Sequence, residues 1–301
     1  MSAPRPLDRA IPRPPRIDSH QHFWSVARTD YDWLTPALPQ LYRDFLPADL
    51  GLFLTSAEIN LTVLVQAAPT LAETRFLLDL AQQTPFVAAL VGWVDMLAPD
   101  APDQIAMLAT QPRVRGVRPM LQDIPDVEWI RKPQLRAALL SLIDHGLSFD
   151  ALVRPVHLPA LLEMMHHHPQ LRVVIDHGAK PNIAAGQREA WERQIRVVAR
   201  DSTAHCKISG LVTEAAPGAT LDVLRPYLDV LFECFGPDRL MWGSDWPVVN
   251  LASDYTAWWE MTQQYLLPLD PAAREAVFGG TAQRFYRIER KACPSSVSIG
   301  G

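Results

Sequence analysis

The sequence predicts an α/β protein folded as a single closed (β/α)8 TIM barrel. Eight short runs rich in β-branched and apolar residues recur along the 301-residue chain, all but the first spaced from the next by roughly the length of a strand plus its crossover, about 25 to 35 residues. Helical patterns lie between them. The turn after the first run reads His20-Gln21-His22-Phe23-Trp24, where an open doubly wound sheet would bring a glycine-rich loop. Neither GxGxxG nor a Walker sequence occurs.

In chain order, the expected strands are Arg16 to His22, Leu61 to Gln66, Phe86 to Trp93, Arg113 to Arg118, Leu147 to Val153, Leu171 to Asp176, His205 to Ser209 and Arg239 to Gly243. They read as parallel strands buried on both faces. Helices are expected over Thr70 to Gln83, Pro133 to His145, Pro159 to His168, Gln187 to Arg200, Thr220 to Phe235 and Asp254 to Leu266. The second starts with a proline in its first turn and stops at Gly146; the third stops before Pro169. No repeat beyond the βα unit and no linker divides the chain. The barrel is expected over residues 16–288, between a flexible lead-in (1–15) and a flexible tail (289–301).

With 28 Lys and Arg against 33 Asp and Glu, the net charge of −5 gives no footprint for nucleic acid or for an anionic membrane. No stretch approaches the roughly 18 apolar residues of a membrane span. Cys206, Cys234 and Cys293 are too few and too scattered for a disulfide framework or a zinc knot. The first residues lack the apolar core of a secretory signal, so a cytoplasmic location is expected.

Function in a barrel sits where its strands finish. The first strand ends on His20 and His22, which alternation puts on one face, able to share a divalent ion or a substrate oxygen. The sixth run leads into Asp176-His177-Gly178, and the eighth into Gly243-Ser244-Asp245-Trp246-Pro247. One such polar strand end is ordinary; the same polarity at three is not. Arg118 ends the fourth run as a cation in need of a carbonyl or anionic partner. Lys207 lies within the seventh and points either into the barrel or outward; Asp95, Asp150 and Arg154 are equally two-sided. Trp24 and Trp93 could wall a pocket for the C–H faces of a sugar. The triplet His166-His167-His168 splays around a helix end and is set aside as a cation placement near a helix C-terminus.

These strand ends resemble those of the amidohydrolase superfamily, in its amidohydrolase 2 branch. The segments RIDSHQHFW, YDWL, LVGWVDM, Arg115 to Asp123, DHGAKP, CKISGLVTEA and DRLMWGSDWPV are similar to the sugar-acid lactonases of the L-fuconolactonase and L-rhamnono-lactonase type, over Arg16 to Tyr286. The resemblance implies hydrolysis of an aldonolactone, with Asp245 as the base that activates water and His20, His22 and His177 stabilising the developing oxyanion. Arg118, Trp24, Trp93 and Lys207 would meet the substrate. Arg118-Pro119-Met120 stands where two-metal members carry a bridging lysine, and the fifth strand lacks a terminal histidine. The resemblance therefore implies one divalent ion, zinc foremost, held by His20, His22 and Asp245, or no essential metal. A pyrone-dicarboxylate lactonase and a metal-dependent decarboxylase of the same branch are the alternatives. The sequence does not speak to oligomeric state.

Overall fold

The structure is a computed structural model, and it describes residues 14–289. Eight parallel strands stand side by side in chain order: β1 (Ile17–Gln21), β2 (Leu61–Val65), β3 (Val87–Gly92), β4 (Val114–Val117), β5 (Ser148–Ala151), β6 (Val173–Ile175), β7 (His205–Ile208) and β8 (Leu240–Trp242). Around them run α1 (Pro47–Ser56), α2 (Leu71–Gln83), α3 (Ala101–Ala109), α4 (Arg136–Asp144), α5 (Leu158–His167), α6 (Arg188–Asp201), α7 (Leu221–Phe235) and α8 (Tyr255–Leu266). Two short helices follow, α9 (Pro271–Glu275) and α10 (Thr281–Phe285). This is the (β/α)8 barrel that the sequence predicts. The expected lead-in and tail lie almost wholly outside the described residues, as does Cys293. Among the described residues no helix is long and apolar enough to cross a membrane.

Most strands are shorter than their sequence runs by a residue or two at either end, and at the ends of the first, fourth and sixth runs the residues that leave the sheet include His22, Arg118 and Asp176. Two outer helices, α1 and α3, were not expected. The α1 segment, PADLGLFLTS, is apolar on most sides and holds Gly51, so no polar face marks its period. The α3 segment is only nine residues long. The helices expected between the later strands are all present, starting or ending within a few residues of the expected bounds.

The core has two parts. A large cluster fills the space between the strands and the helix ring. A smaller one fills the cylinder itself: Ile17, Val63, Val65, Ala89, Val91, Val174 and Met241, closed below by Ala282, Phe285 and Tyr286. Mostly small and branched side chains from β1, β2, β3, β6 and β8 form this plug, so the barrel is packed rather than hollow.

β1 carries a bulge. Asp18 pairs with Thr62 but Gln21 with Leu64, so β1 has one residue more than β2 over this stretch. Ile17 points into the barrel; strict alternation from there would turn His20 and His22 outward. The extra residue reverses the order and aims both imidazoles inward, the effect bulges have beside active sites. β1 also meets β8 and closes the cylinder. Asp245 N–H donates to His20 C=O at 2.8 Å, and His22 N–H to Trp246 C=O at 2.7 Å. At this join a Cβ on Gly243 would lie 2.7 Å from the His20 Cβ and 3.1 Å from its backbone nitrogen. Gly243→Ala is expected to lower stability by about 1–3 kcal/mol through overpacking. Gly51→Ala, inside α1 with nothing within 4 Å of the new methyl, is expected to raise it by about 0.5–1 kcal/mol. Urea unfolding of the two variants checks the contrast.

Candidate active site

Four strand ends converge at the C-terminal mouth. β1 supplies His20 and His22, the residue after β4 is Arg118, β6 runs into Asp176 and His177, and β8 into Asp245. His20 Nε2 and His22 Nε2 are 3.2 Å apart. Asp245 Oδ1 lies 3.3 Å from His22 Nε2, 3.7 Å from His20 Nε2 and 3.9 Å from His177 Nε2. Distant parts of the chain thus meet around one point.

Local backbone makes this possible. His177 and Asp245 both adopt positive φ, 54° and 58°. That conformation costs an ordinary residue about 1–3 kcal/mol and gathers at functional sites, where the surroundings enforce it. Gly210 makes room for both: at φ +60°, a Cβ there would lie 2.6 Å from His177 Nδ1 and 3.1 Å from Asp245 Oδ2.

Each imidazole is oriented from behind. His22 Nδ1–H donates to Val65 C=O at 2.8 Å, which leaves its Nε2 lone pair facing Asp245 and His20. His177 Nδ1 meets Ser209 Oγ at 2.8 Å. His20 Nδ1 lies 3.1 Å from Lys207 Nζ and 3.4 Å from Asp176 Oδ1. Lys207 is wholly buried, with Asp150 at 2.8 Å and Asp176 at 3.0 Å. The Tyr286 hydroxyl donates to Asp150 at 2.5 Å. Arg118 Nη1 reaches Asp176 at 3.3 Å and His20 Nε2 at 3.4 Å, and its Nη2–H donates to Gln66 C=O. A charged layer therefore sits between the apolar plug and the cavity.

Protonation follows from these neighbours. Burial alone would raise the Asp245 carboxyl, but the imidazoles of His177, His22 and His20 outweigh it and hold Asp245 well below the usual carboxylate range. Burial and then the Lys207 charge lower His20. Burial pushes His177 down to about 4, against the pull of Asp245 and Asp176. For Asp176, the attraction of Lys207, His20 and Arg118 overturns the effect of burial and keeps it ionised. At neutral pH the mouth thus offers an ionised Asp245 beside neutral His20 and His177, the pairing an acid–base site needs.

Above these groups opens a cavity of about 210 Å³. His22, His177, Asp245 and Arg118 form its floor with Gln122, Asp123 and Lys180 also in the wall; Trp33, Leu38, Met120, Leu152, Val248 and Leu251 supply an apolar side.

Three expected substrate contacts sit elsewhere. Trp24 is wholly buried, its Nε1–H donates to Arg43 C=O at 2.9 Å, and its ring packs edge-on against Trp33 at 5.2 Å. Trp33 takes the wall position instead, fixed by a 2.8 Å bond from its Nε1–H to Ala67 C=O. The cause is the long connection over residues 22–46, which folds back across the mouth and pairs Trp24 with Phe45 through mutual backbone bonds. Trp93 is half-buried outside the cavity lining, its backbone N–H and C=O both bonded to the Thr74 hydroxyl. Lys207 does point into the barrel, but beneath the imidazoles. Asp176, Gln66, Trp33 and Lys180 were not singled out as site residues. The length of the connection after β1, well beyond the usual two to six residues, was the available signal for Trp33.

The match to the amidohydrolase family model spans residues 17–288. The chain belongs to the amidohydrolase family. This amidohydrolase is 50% identical over 279 residues to an L-fucono-1,5-lactonase of Burkholderia ambifaria, covering 91% of this chain and 96% of that protein. It is 35% identical over 289 residues to an L-fucono-1,5-lactonase of Burkholderia multivorans, covering 92% and 97%. A crystal structure of an amidohydrolase from Burkholderia multivorans with bound zinc superimposes with a TM-score of 0.87 at 34% identity, over 91% of this chain and all of that one.

One buried acid shapes the wall. Glu73 of α2 accepts from the backbone N–H of Ala67 at 2.7 Å, and burial raises its carboxyl to about 8, although the N–H groups of Ala67 and Ala68 oppose the shift. The native state holds a proton that the unfolded chain releases from its ordinary 4.5 upward. Stability from this group is complete below that value and is lost as pH rises towards about 8. Glu73→Gln keeps the acceptor and removes the titration. Urea unfolding at about pH 5 and about pH 8 is expected to show wild type losing stability relative to the variant as pH rises.

Proposed function

We propose that this amidohydrolase hydrolyses a sugar-derived lactone, an aldonolactone of the L-fucono-1,5-lactone kind, to its sugar acid, with Asp245 as the base. The observation that carries the reading is one ionised carboxylate with the imidazoles of His22 and His177 on the floor of a cavity that has a polar and an apolar side, and with His20 buried against it from beneath. The 50% identical L-fucono-1,5-lactonase supports the substrate class.

A lactone is a neutral ester, so its carbonyl must be polarised and the attacking water deprotonated. Asp245 takes a proton from water as the oxygen bonds to the carbonyl carbon. The carbonyl oxygen gains the charge and is stabilised by the Arg118 guanidinium and the His177 imidazole on the cavity floor, while His20 and His22 hold the Asp245 carboxylate from behind. When the ring C–O bond breaks, Asp245 returns the proton to the leaving alkoxide. Gln122, Asp123 and Lys180 offer hydrogen bonds to hydroxyl groups, and Trp33 packs against the sugar's C–H face.

His20, His22 and Asp245 fit a divalent ion, zinc foremost: their donor atoms lie within 4.8 Å of one another and all are buried. Charge pairing supports the fit. Lys207 and Arg118 are engaged with Asp150 and Asp176, while among the described residues Asp245 has only imidazoles as ion-pair partners. Such an ion, when bound, polarises a carbonyl and lowers the pKa of water. The reading also implies a cytoplasmic role in carbohydrate catabolism.

A pyrone dicarboxylate or a decarboxylase substrate would demand a cradle of cations for its carboxylates. Arg118 already contacts Asp176, Lys180 is paired with Glu214, and Arg154 is exposed outside the lining. The cavity therefore suits a neutral polyhydroxy lactone better.

Acid release from L-fucono-1,5-lactone, followed with a pH indicator, tests the reading. Asp245→Asn is expected to lose about 10²- to 10⁴-fold or more in kcat with its circular dichroism unchanged; retention of most activity removes Asp245 as the base. Dialysis against a chelator, with metal analysis before and after, is expected to lower activity in step with the ion lost and to recover it on adding zinc.

A further inference from the structure

Asp18 takes no part in the mechanism above, yet it is wholly buried one turn of backbone from His20. Its Oδ1 accepts two hydrogen bonds. One comes from the backbone N–H of Ser244 at 2.9 Å, across the join between the first and last strands; the other comes from the backbone N–H of His20 at 3.2 Å. Ser244 precedes Asp245, whose own N–H donates to His20 C=O at 2.8 Å, while Ser244 Oγ donates to the same carbonyl at 3.3 Å. A single oxygen thus satisfies two N–H groups that the bulged β1 and the departing β8 would otherwise leave buried without a partner. The Tyr255 hydroxyl, on α8, is the carboxylate's neighbour on the helix side.

We propose that Asp18 is a positioning residue for the reaction, setting the separation between the Asp245 carboxylate and the imidazoles of His20 and His22. The proposal rests on the assignment of Asp245 as base. The carboxylate is wholly buried and does not line the cavity above the imidazoles, so it acts through backbone: it holds the start of the Ser244-Asp245 turn against His20, at the point where Asp245 enters its left-handed conformation. A hydrogen-bond acceptor at this place is what the geometry requires; a negative charge is not.

The test compares Asp18→Ala with Asp18→Asn in lactone hydrolysis, with thermal melting to define the temperature at which each is folded. The Ala variant loses the acceptor and lets the turn drift. A displacement near 1 Å costs on the order of 10²-fold, so kcat is expected to fall by about 10- to 100-fold with KM within about 2-fold of wild type. In the Asn variant, Oδ1 still accepts both N–H groups and the amide N–H can donate to the Tyr255 hydroxyl, so kcat is expected to return to within about 3-fold of wild type. Wild-type kcat in the Ala variant overturns the proposal, as does a joint change of kcat and KM. Should the Ala variant not fold, the Asn variant decides: a loss beyond about tenfold shows that charge, not acceptance, matters. Failure of the underlying reading looks different, because wild-type enzyme would then not hydrolyse the lactone or Asp245→Asn would remain active.

Discussion

Hydrogen bonds between β1 and β8 join the first described strand of this barrel to its last, and the whole mouth depends on that join. His20 and His22 lie near the start of the chain and Asp245 more than two hundred residues later. Two backbone bonds, from Asp245 to His20 and from His22 to Trp246, place them side by side. The bulge in β1 makes the join productive. Without its extra residue, the strand would show Ser19 and Gln21 to the interior and turn its imidazoles to the helix ring. Gly243 then allows β8 to approach His20 closely, so a missing side chain contributes as much as those present.

The interior is stratified by polarity. At the bottom, branched apolar side chains fill the cylinder, with Tyr286 as their polar edge. Next come Asp150, Lys207, Asp176 and Arg118, two acids and two cations that neutralise one another. Isolated buried charges of this kind are expensive, and deleting one of a pair is worse than deleting both. Here the pairing leaves the imidazole of His20 flanked by opposite charges and neutral. The topmost layer, His22, His177 and Asp245, faces the cavity, and Arg118 reaches up beside it to join the floor. A catalytic carboxylate can remain ionised at such depth because nitrogen atoms surround it, whereas Glu73, with fewer compensating groups, does not.

Much of this was legible in the amino-acid order. The strand ends carrying His20, His22, Arg118, His177 and Asp245 stood out because polar residues interrupted apolar runs where a barrel keeps its chemistry. What remained hidden needed register. Lys207 and Asp150 sit inside strands, where alternation offers two directions and only the pairing of neighbours decides between them. The bulge left no compositional mark, so the inward aim of the histidines could not be derived from the strand itself. Trp24 and Trp33 are equally aromatic and nine residues apart in a connection without periodicity; which of them reaches the cavity depends on how that segment folds over the mouth. The α1 helix escaped notice because its own segment is apolar on most sides, which erases the stripe that marks a helix in sequence.

A join between the first and the eighth strand of a barrel also sets a timetable for its synthesis. Chains grow from the N-terminus, so β1 and its imidazoles leave the ribosome early and wait, one strand edge unpaired, until residues 240–246 emerge. Seven-eighths of the barrel can exist before any of its catalytic floor is complete. An incomplete chain carries two unpaired parallel edges, β1 and β7, the kind of surface that other chains pair with. For this fold, β8 is therefore both the strand that completes the reaction centre and the one that ends the period of greatest risk of aggregation.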